Sequence, residues 1–198
     1  MDLTIEPGDF LAVMGPSGSG KSTLLHLLGC LDRPTGGELY FQGENVRSLS
    51  VQELALFRAS RIAFVFQNDN LIPQLTLREN VELPFIYLTI QPEEVKRRVD
   101  EAFHQVGLIF RVDHKPNQLS GGEQQRGAVA RALAMNAELI IADEPTGSLD
   151  LESGRRILSL LKKCHEEGKT VILATHNQEM AAYAKRRIFL KDGSLILN

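Results

Sequence analysis

Hydrophobic and polar positions alternate in two rhythms along this chain. Short unbroken apolar runs recur as FLAVM at 10–14, IAFVF at 62–66, LIIAD at 139–143 and TVILATH at 170–176. Runs of this length, apolar at every position, predict strands covered on both faces. Between them the spacing becomes helical. Over 92–106, Val95, Val99, Ala102, Phe103 and Val106 share one face; over 151–167, Ile157, Leu160, Leu161 and Cys164 do the same. A helix over 21–28 follows the first run, and Ala128, Val129, Ala132 and Leu133 predict another that ends near Met135. The stretch GGELYFQGENV at 36–46 holds a short antiparallel strand. RRIFLKDGSLIL at 186–197 predicts a hairpin turning at Asp192-Gly193.

Strands alternating with helices predict an α/β fold, a mostly parallel sheet with helices on both faces and a reduced antiparallel β part. Residues 68–137 offer no strand pattern and read as a helical insertion. The expected division is a core of 1–67 and 138–198 with a helical part at 68–137, all within one domain, because 198 residues are too few for two full-sized ones.

Charge narrows the function classes. The net charge of −3 gives no basic field, so nucleic acid is not an expected partner. No apolar run approaches the ~20 residues a membrane helix needs, and the opening MDLTIEPGDF has no signal-peptide pattern. Cys30 and Cys164 each sit in a helical apolar pattern, with no CxxC pair, and read as buried free thiols suited to a reducing cytoplasm.

Candidate chemistry begins after the first strand. GPSGSGKST supplies Gly15, Pro16, Ser17, Gly18, Ser19, Gly20, Lys21, Ser22 and Thr23, matching G-x-x-x-x-G-K-[ST] in its required strand–loop–helix context. Glycines let backbone N–H groups turn inward around phosphate oxygens, and the following helix adds the positive end of its dipole. Lys21 can then bridge the outer phosphates and the Ser22 hydroxyl can ligate Mg²⁺. Asp143 ends a buried strand, so it emerges at the sheet edge where ligands bind in parallel sheets, and it can hold Mg²⁺ through water. Glu144 is the candidate to polarise an attacking water. His176, just after another strand, can donate to a terminal phosphate. Gln67, just after IAFVF, can touch the metal or the attacking water.

A second glycine pair is harder to explain. In LSGGEQQR, Ser120 and Glu123 form a capping box at a helix start. Gly121 and Gly122 fall in the first turn, where each costs about 1 kcal/mol relative to alanine. A cap alone does not need them. Bare backbone at a helix N-terminus suits close approach of an anion. Since the chain's own phosphates are held by 15–22, this motif would serve the nucleotide of another molecule.

The order of GPSGSGKST, Gln67, LSGGEQQRGAVARAL, LIIADEPTGSLD and ATH across nearly the whole chain resembles the ATP-binding subunits of ATP-binding-cassette transporters. LGCLDRPTGGELYFQG, NLIPQLTLRENVELP and HKPNQLSGGEQQR are similar to the subfamily that serves macrolide exporters and lipoprotein-releasing complexes. The resemblance implies an Mg²⁺-dependent P-loop ATPase that pairs head to tail with a second copy. Each ATP would lie between one copy's phosphate loop and the other's signature motif. By position, Ser120, Gly121, Gly122 and Glu123 would form that motif, with Ser120 and Gly122 on the partner's γ-phosphate and Asp150 at the dimer interface. It further implies an integral membrane permease as partner, holding the chain on the cytoplasmic face of the membrane. Gln67 would report ATP status to the insertion where the permease docks, and LPFIYL at 83–88 is a candidate for part of that dock.

Two departures stand out. Family members would be expected to begin some twenty residues earlier, with an adenine-stacking aromatic. Here no aromatic precedes Phe10, so no base-stacking residue is assigned. Gly127, inside the signature helix, has no account from sequence. Two other readings stay open: an ATPase switch on a permease-like partner that moves no substrate, and a fragment that binds nucleotide poorly.

Overall fold

The computed structural model describes residues 1–68 and 70–196. Its strands are β1 (Phe10–Met14), β2 (Tyr40–Phe41), β3 (Glu44–Asn45), β4 (Ile62–Phe66), β5 (Leu139–Asp143), β6 (Thr170–Ala174), β7 (Arg186–Lys191) and β8 (Ser194–Ile196). Its α-helices are α1 (Lys21–Leu28), α2 (Val51–Arg61), α3 (Leu77–Glu82), α4 (Pro92–Val106), α5 (Gly121–Met135), α6 (Leu151–Glu166) and α7 (Gln178–Ala181). Six strands form one sheet in the order β4-β5-β6-β1-β7-β8, while β2 and β3 pair separately. All neighbours in the large sheet are parallel except β7 and β8. Phe66 pairs with Asp143, Asp143 with Ala174, and Val13 with Ala174, so four strands end along one edge.

Apolar runs are buried on both faces, as their composition requires. Along β1, Phe10, Ala12 and Met14 face a core shared with Phe103, Val129 and Ile157. Leu11 and Val13 face the opposite core, with Leu25 of α1 and Leu54 and Phe57 of α2. The first of these cores continues without a break into the helical stretch, through Leu77, Val81, Phe85 and Val99. Among the described residues, 68–137 contain no strand. The turn at Asp192 and Gly193 has φ of +49° and +73°, the two left-handed residues that a tight hairpin needs.

Three details differ from the sequence reading. Cys30 is not in a helix: it lies past the Gly29 cap of α1 with φ +56°. It is buried nonetheless, as is Cys164, and burial pushes both thiols up to about 11. The 36–46 stretch holds two short strands rather than one. Helix α2 has no counterpart in that reading, and α3 lies within the helical 68–137 without being singled out, although each opens with a capping box, Ser50 with Glu53 and Thr76 with Glu79.

Gly127 acquires a reason. A Cβ there would lie 2.5 Å from Leu77 Cδ1, so its bareness lets α5 lie directly against α3. Beside that contact Asn80 is fully buried. Its Oδ1 accepts from the Ile72 N–H at 2.6 Å, and its Nδ2 donates to the carbonyls of Ile72 and Thr76 at 3.1 and 2.9 Å. One amide thus ties the 72–76 loop onto α3. Asn80→Ala is expected to leave several backbone groups unpaired, cost about 2–4 kcal/mol and lower Tm by roughly 5–15 °C; calorimetry checks this.

Candidate functional site

The cleft at the carboxyl edge has a volume of about 860 Å³. Its lining includes Pro16, Ser17, Gly18, Gly20, Lys21, Ser22 and Thr23 from the loop and start of α1. Across from them stand Gln67, Asp143, Glu144 and His176, brought from the ends of β4, β5 and β6. Residues separated by more than a hundred positions meet because parallel strands end side by side.

Gly15 and Ser19 lie beneath the rim rather than on it. Gly15 has φ +150°, and a Cβ there would come within 2.2 Å of the Leu190 carbonyl oxygen. Only glycine lets the loop leave β1 this close to β7. The Gly193 N–H donates to the Ser19 carbonyl at 3.0 Å, so the β7–β8 turn braces the loop from below.

Helix α1 is prepared for an anion in a way the other long helices are not. Ser50, Ser120 and Asp150 cap α2, α5 and α6 with side-chain oxygens, and α4, which has no side-chain cap, carries Glu93 and Glu94 in its first turn. The N-cap of α1 is Gly20, at φ +99°, with no side-chain cap and no acid in the first turn. Its leading N–H groups and dipole therefore face the cleft uncompensated. Lys21, only 9% exposed, adds a full charge. Its Nζ donates to the carbonyls of Gly15 and Pro16 at 2.9 and 3.0 Å and, among the described residues, makes no salt bridge. The Ser19 hydroxyl is buried and has no hydrogen-bond partner. A buried ammonium with no salt bridge among the described residues, at an uncapped helix start, calls for a multiply charged anion.

Glu144 carries the opposite charge across the cleft. It has φ +45°, a left-handed conformation that non-glycine residues adopt at a cost of about 1–3 kcal/mol. Its backbone N–H donates to the Ala174 carbonyl at 3.0 Å, fixing that conformation. Its carboxylate is 16% exposed; Oε1 accepts from the His176 N–H at 3.0 Å and lies 2.7 Å from His176 Nδ1. Thr175 donates its hydroxyl to Oε2 at 3.2 Å. Sequence reasoning missed Thr175, and missed Phe66, Asn68, Asn70 and Gly147 on the cleft lining. A Cβ on Gly147 would sit 2.9 Å from Gln67 Nε2, so this glycine admits the Gln67 amide.

Ser22, Asp143 and Gln67 offer hydroxyl, carboxylate and amide oxygens on one cleft, a hard donor set that fits Mg²⁺ completed by phosphate and water. The fit does not require an all-protein cage, and among the described residues no group of three or more His, Cys, Asp or Glu forms one.

The second glycine pair lies outside this cleft, at the start of α5. Ser120 Oγ accepts from the Glu123 N–H at 3.3 Å and donates to Glu123 Oε2, while Oε2 also accepts from the Ser120 N–H at 2.9 Å. These bonds, with the guanidinium of Arg111 at 3.0 Å, hold the Glu123 carboxyl below the usual carboxylate range. A Cβ on Gly121 would meet nothing within 4 Å; one on Gly122 would lie 3.1 Å from Ser153 Oγ. Ser153 is in the first turn of α6, whose N-cap is Asp150. The motif and Asp150 therefore share one surface.

Comparison with known proteins supplies the class. The model of the ABC transporter family matches residues 1–147, and the chain belongs to that family: it is an ATP-binding-cassette ATPase. It is 52% identical to an uncharacterised ABC transporter ATP-binding protein of Thermotoga maritima, over 95% of this chain and 80% of that protein. It is 50% identical to the macrolide export ATP-binding/permease protein MacB of Rhodopseudomonas palustris, over 99% of this chain but only 30% of that longer protein. A solved dimer of the ATP-binding cassette MJ0796, in a post-hydrolysis state with ADP and Pi, superposes with a TM-score of 0.91 at 48% identity, covering 98% of this chain and 86% of that one.

Proposed function

We propose that this ATPase works as a head-to-tail pair of copies closing around two Mg-ATP, each site combining one copy's cleft with the other's 120–123 motif. The observation that carries the reading is the buried Lys21 ammonium, with no carboxylate partner among the described residues, facing Glu144 and His176 across the cleft. Lys21 and the α1 N–H groups hold the outer phosphates. Ser22 and Gln67 would hold Mg²⁺, with Asp143 reaching it through water; when bound, the ion neutralises charge on phosphate oxygens. Glu144 orients and polarises the attacking water, and His176 steadies the Glu144 carboxylate and reaches toward the terminal phosphate.

The open space at Gly121 supports a role for the motif outside its own subunit, and the solved structure of MJ0796 is dimeric. Among the described residues, no helix is long and apolar enough to cross a membrane. The proposed partner is a permease that holds the pair at the cytoplasmic face of the membrane. MacB carries ATP-binding and permease functions in its name, and this chain aligns with 30% of it. Within 83–88, Phe85 is buried while Ile86 and Tyr87 are 72% and 68% exposed, which supports an apolar docking point on the 68–137 helical part. Lipoprotein release and export of macrolides or peptides are the substrate classes this reading covers.

Hydrolysis measured against protein concentration tests the proposal. The rate is expected to rise faster than linearly at low concentration and to stop when divalent metal is chelated. A rate that stays linear down to concentrations at which gel filtration shows only monomer rules out the composite site.

A further inference from the structure

We propose that Gln125 is the positioning residue that ties the signature helix to the Gln67 loop, so that α5 moves with the occupancy of its own subunit's cleft. Gln125 lies on α5 between the motif at 120–123 and the helix body, and it is 2% exposed. Its Nε2 donates to the Phe66 carbonyl at 2.7 Å. Phe66 is the last residue of β4 and the one immediately before Gln67. A buried side-chain amide thus reaches across 59 positions to hold the pivot from which the Gln67 loop departs.

The same helix grips the far end of that loop. Arg131 Nη1 donates to the Asn70 carbonyl at 3.0 Å. Gln67 lies between these two anchors, exposed on the cleft and close against Gly147. A shift of Gln67 toward a bound metal or phosphate pulls on the Phe66 carbonyl. That carbonyl is bonded to α5 two residues beyond Glu123. The cleft of one subunit is therefore linked, through Gln67, Phe66 and Gln125, to the motif that the same subunit presents to its partner. The linkage runs through two hydrogen-bonding side chains and one peptide unit, short enough for the cleft and the motif to share a single displacement.

The packing of α5 favours movement as a unit. Gly127 seats it directly on Leu77 of α3, and Ala128, Val129 and Ala130 are all buried. Packed onto α3 as one body, α5 receives the pull at its amino-terminal end, where Gln125 and the motif lie.

This inference rests on the composite-site reading above, and the test separates the two. ATP hydrolysis is measured at saturating Mg-ATP for the parent, Gln67→Ala, Gln125→Met and the double variant. Methionine keeps the length of glutamine and removes the donor. Gln125→Met is expected to slow turnover about tenfold, to leave ATP affinity of the isolated subunit within about twofold, and to add almost nothing to Gln67→Ala in the double variant. Gln125→Glu provides a second arm. Its carboxylate cannot donate to Phe66, but the protonated acid can, so its rate relative to the parent is expected to recover as the pH falls from about 8 to about 6. A superlinear parent rate with additive losses, or with undiminished turnover in Gln125→Met, overturns the coupling alone. If Gln125→Met does not fold, a pH-independent ratio for Gln125→Glu overturns it in the same way. A parent rate that stays linear where gel filtration shows only monomer overturns the composite site and the coupling with it.

Discussion

Glu144→Gln is expected to lower ATP turnover by about 10²–10⁴-fold while ATP binding stays within about twofold and ATP-loaded dimers accumulate. The substitution changes charge with almost no change of shape. The amide oxygen can still accept from the His176 N–H, now 3.0 Å from Oε1, and the amide nitrogen can face Thr175 Oγ1, now 3.2 Å from Oε2. The left-handed backbone at Glu144 is held by its own N–H on the Ala174 carbonyl, which the substitution leaves in place. What disappears is the negative charge opposite Lys21. A neutral amide cannot take a proton from water or stabilise the charge that develops on it as it attacks phosphorus. Because the phosphate loop and α1 are untouched, binding energy survives and the pair stays closed. Gel filtration with and without Mg-ATP, beside a phosphate-release assay, reads both effects. Normal turnover would show that the base lies elsewhere, leaving the Glu144–His176 contact a purely structural one.

Which parts of this arrangement could be read from sequence follows from how local each signal is. Strands β1, β4, β5 and β6 were legible because both of their faces are covered, which makes all but their end positions apolar. Helix α4 was legible because its apolar face is narrow and clean. Helix α2 was not: Val51 and Leu56 stand 77% and 54% exposed, so apolar residues on the outer side blur the period set by buried Leu54 and Phe57. Helix α3, at six residues, is too short to show a period. In both cases the capping box was the available signal, and it went unused.

The site divides in the same way. The phosphate loop is contiguous, and its motif carries its own context. Glu144, His176 and Gln67 were legible from their places just after buried strands. Thr175 was not, because its hydroxyl matters only once β5 and β6 lie side by side. Gly127 has no local signature, since its reason is Leu77, fifty positions away. Gln125 likewise has no local signature, since its amide matters only once the Phe66 carbonyl lies beside it.

The start of α5 allows an experiment in which the fold and the proposed function respond in opposite directions. Gly122→Asp places an acid in the first turn of a helix. Within the subunit that change is mild. A carboxylate near a helix N-terminus is favourable by about 0.3–1 kcal/mol, and losing a glycine from a helix gains up to about 1 kcal/mol more. The one crowded neighbour is Ser153 Oγ, 3.1 Å from the new Cβ, a small side chain on an adjacent helix turn. The isolated subunit is therefore expected to keep its Tm within a few degrees and its ATP affinity within about twofold, because Lys21 and α1 lie in a different part of the molecule. A phosphate approaching the same N–H groups from a second copy meets a negative charge in place of bare backbone. Like charges forced together out of water cost several kcal/mol. Dimer-dependent hydrolysis is accordingly expected to fall more than about a hundredfold. Differential scanning calorimetry, nucleotide titration of the dilute subunit and turnover at high protein concentration distinguish the possibilities. If ATP binding by the dilute subunit fell as far as turnover, Gly122 would belong to its own subunit's site and the composite arrangement would be wrong. A stable, ATP-binding and inactive variant would place the glycine pair on the nucleotide of the other copy.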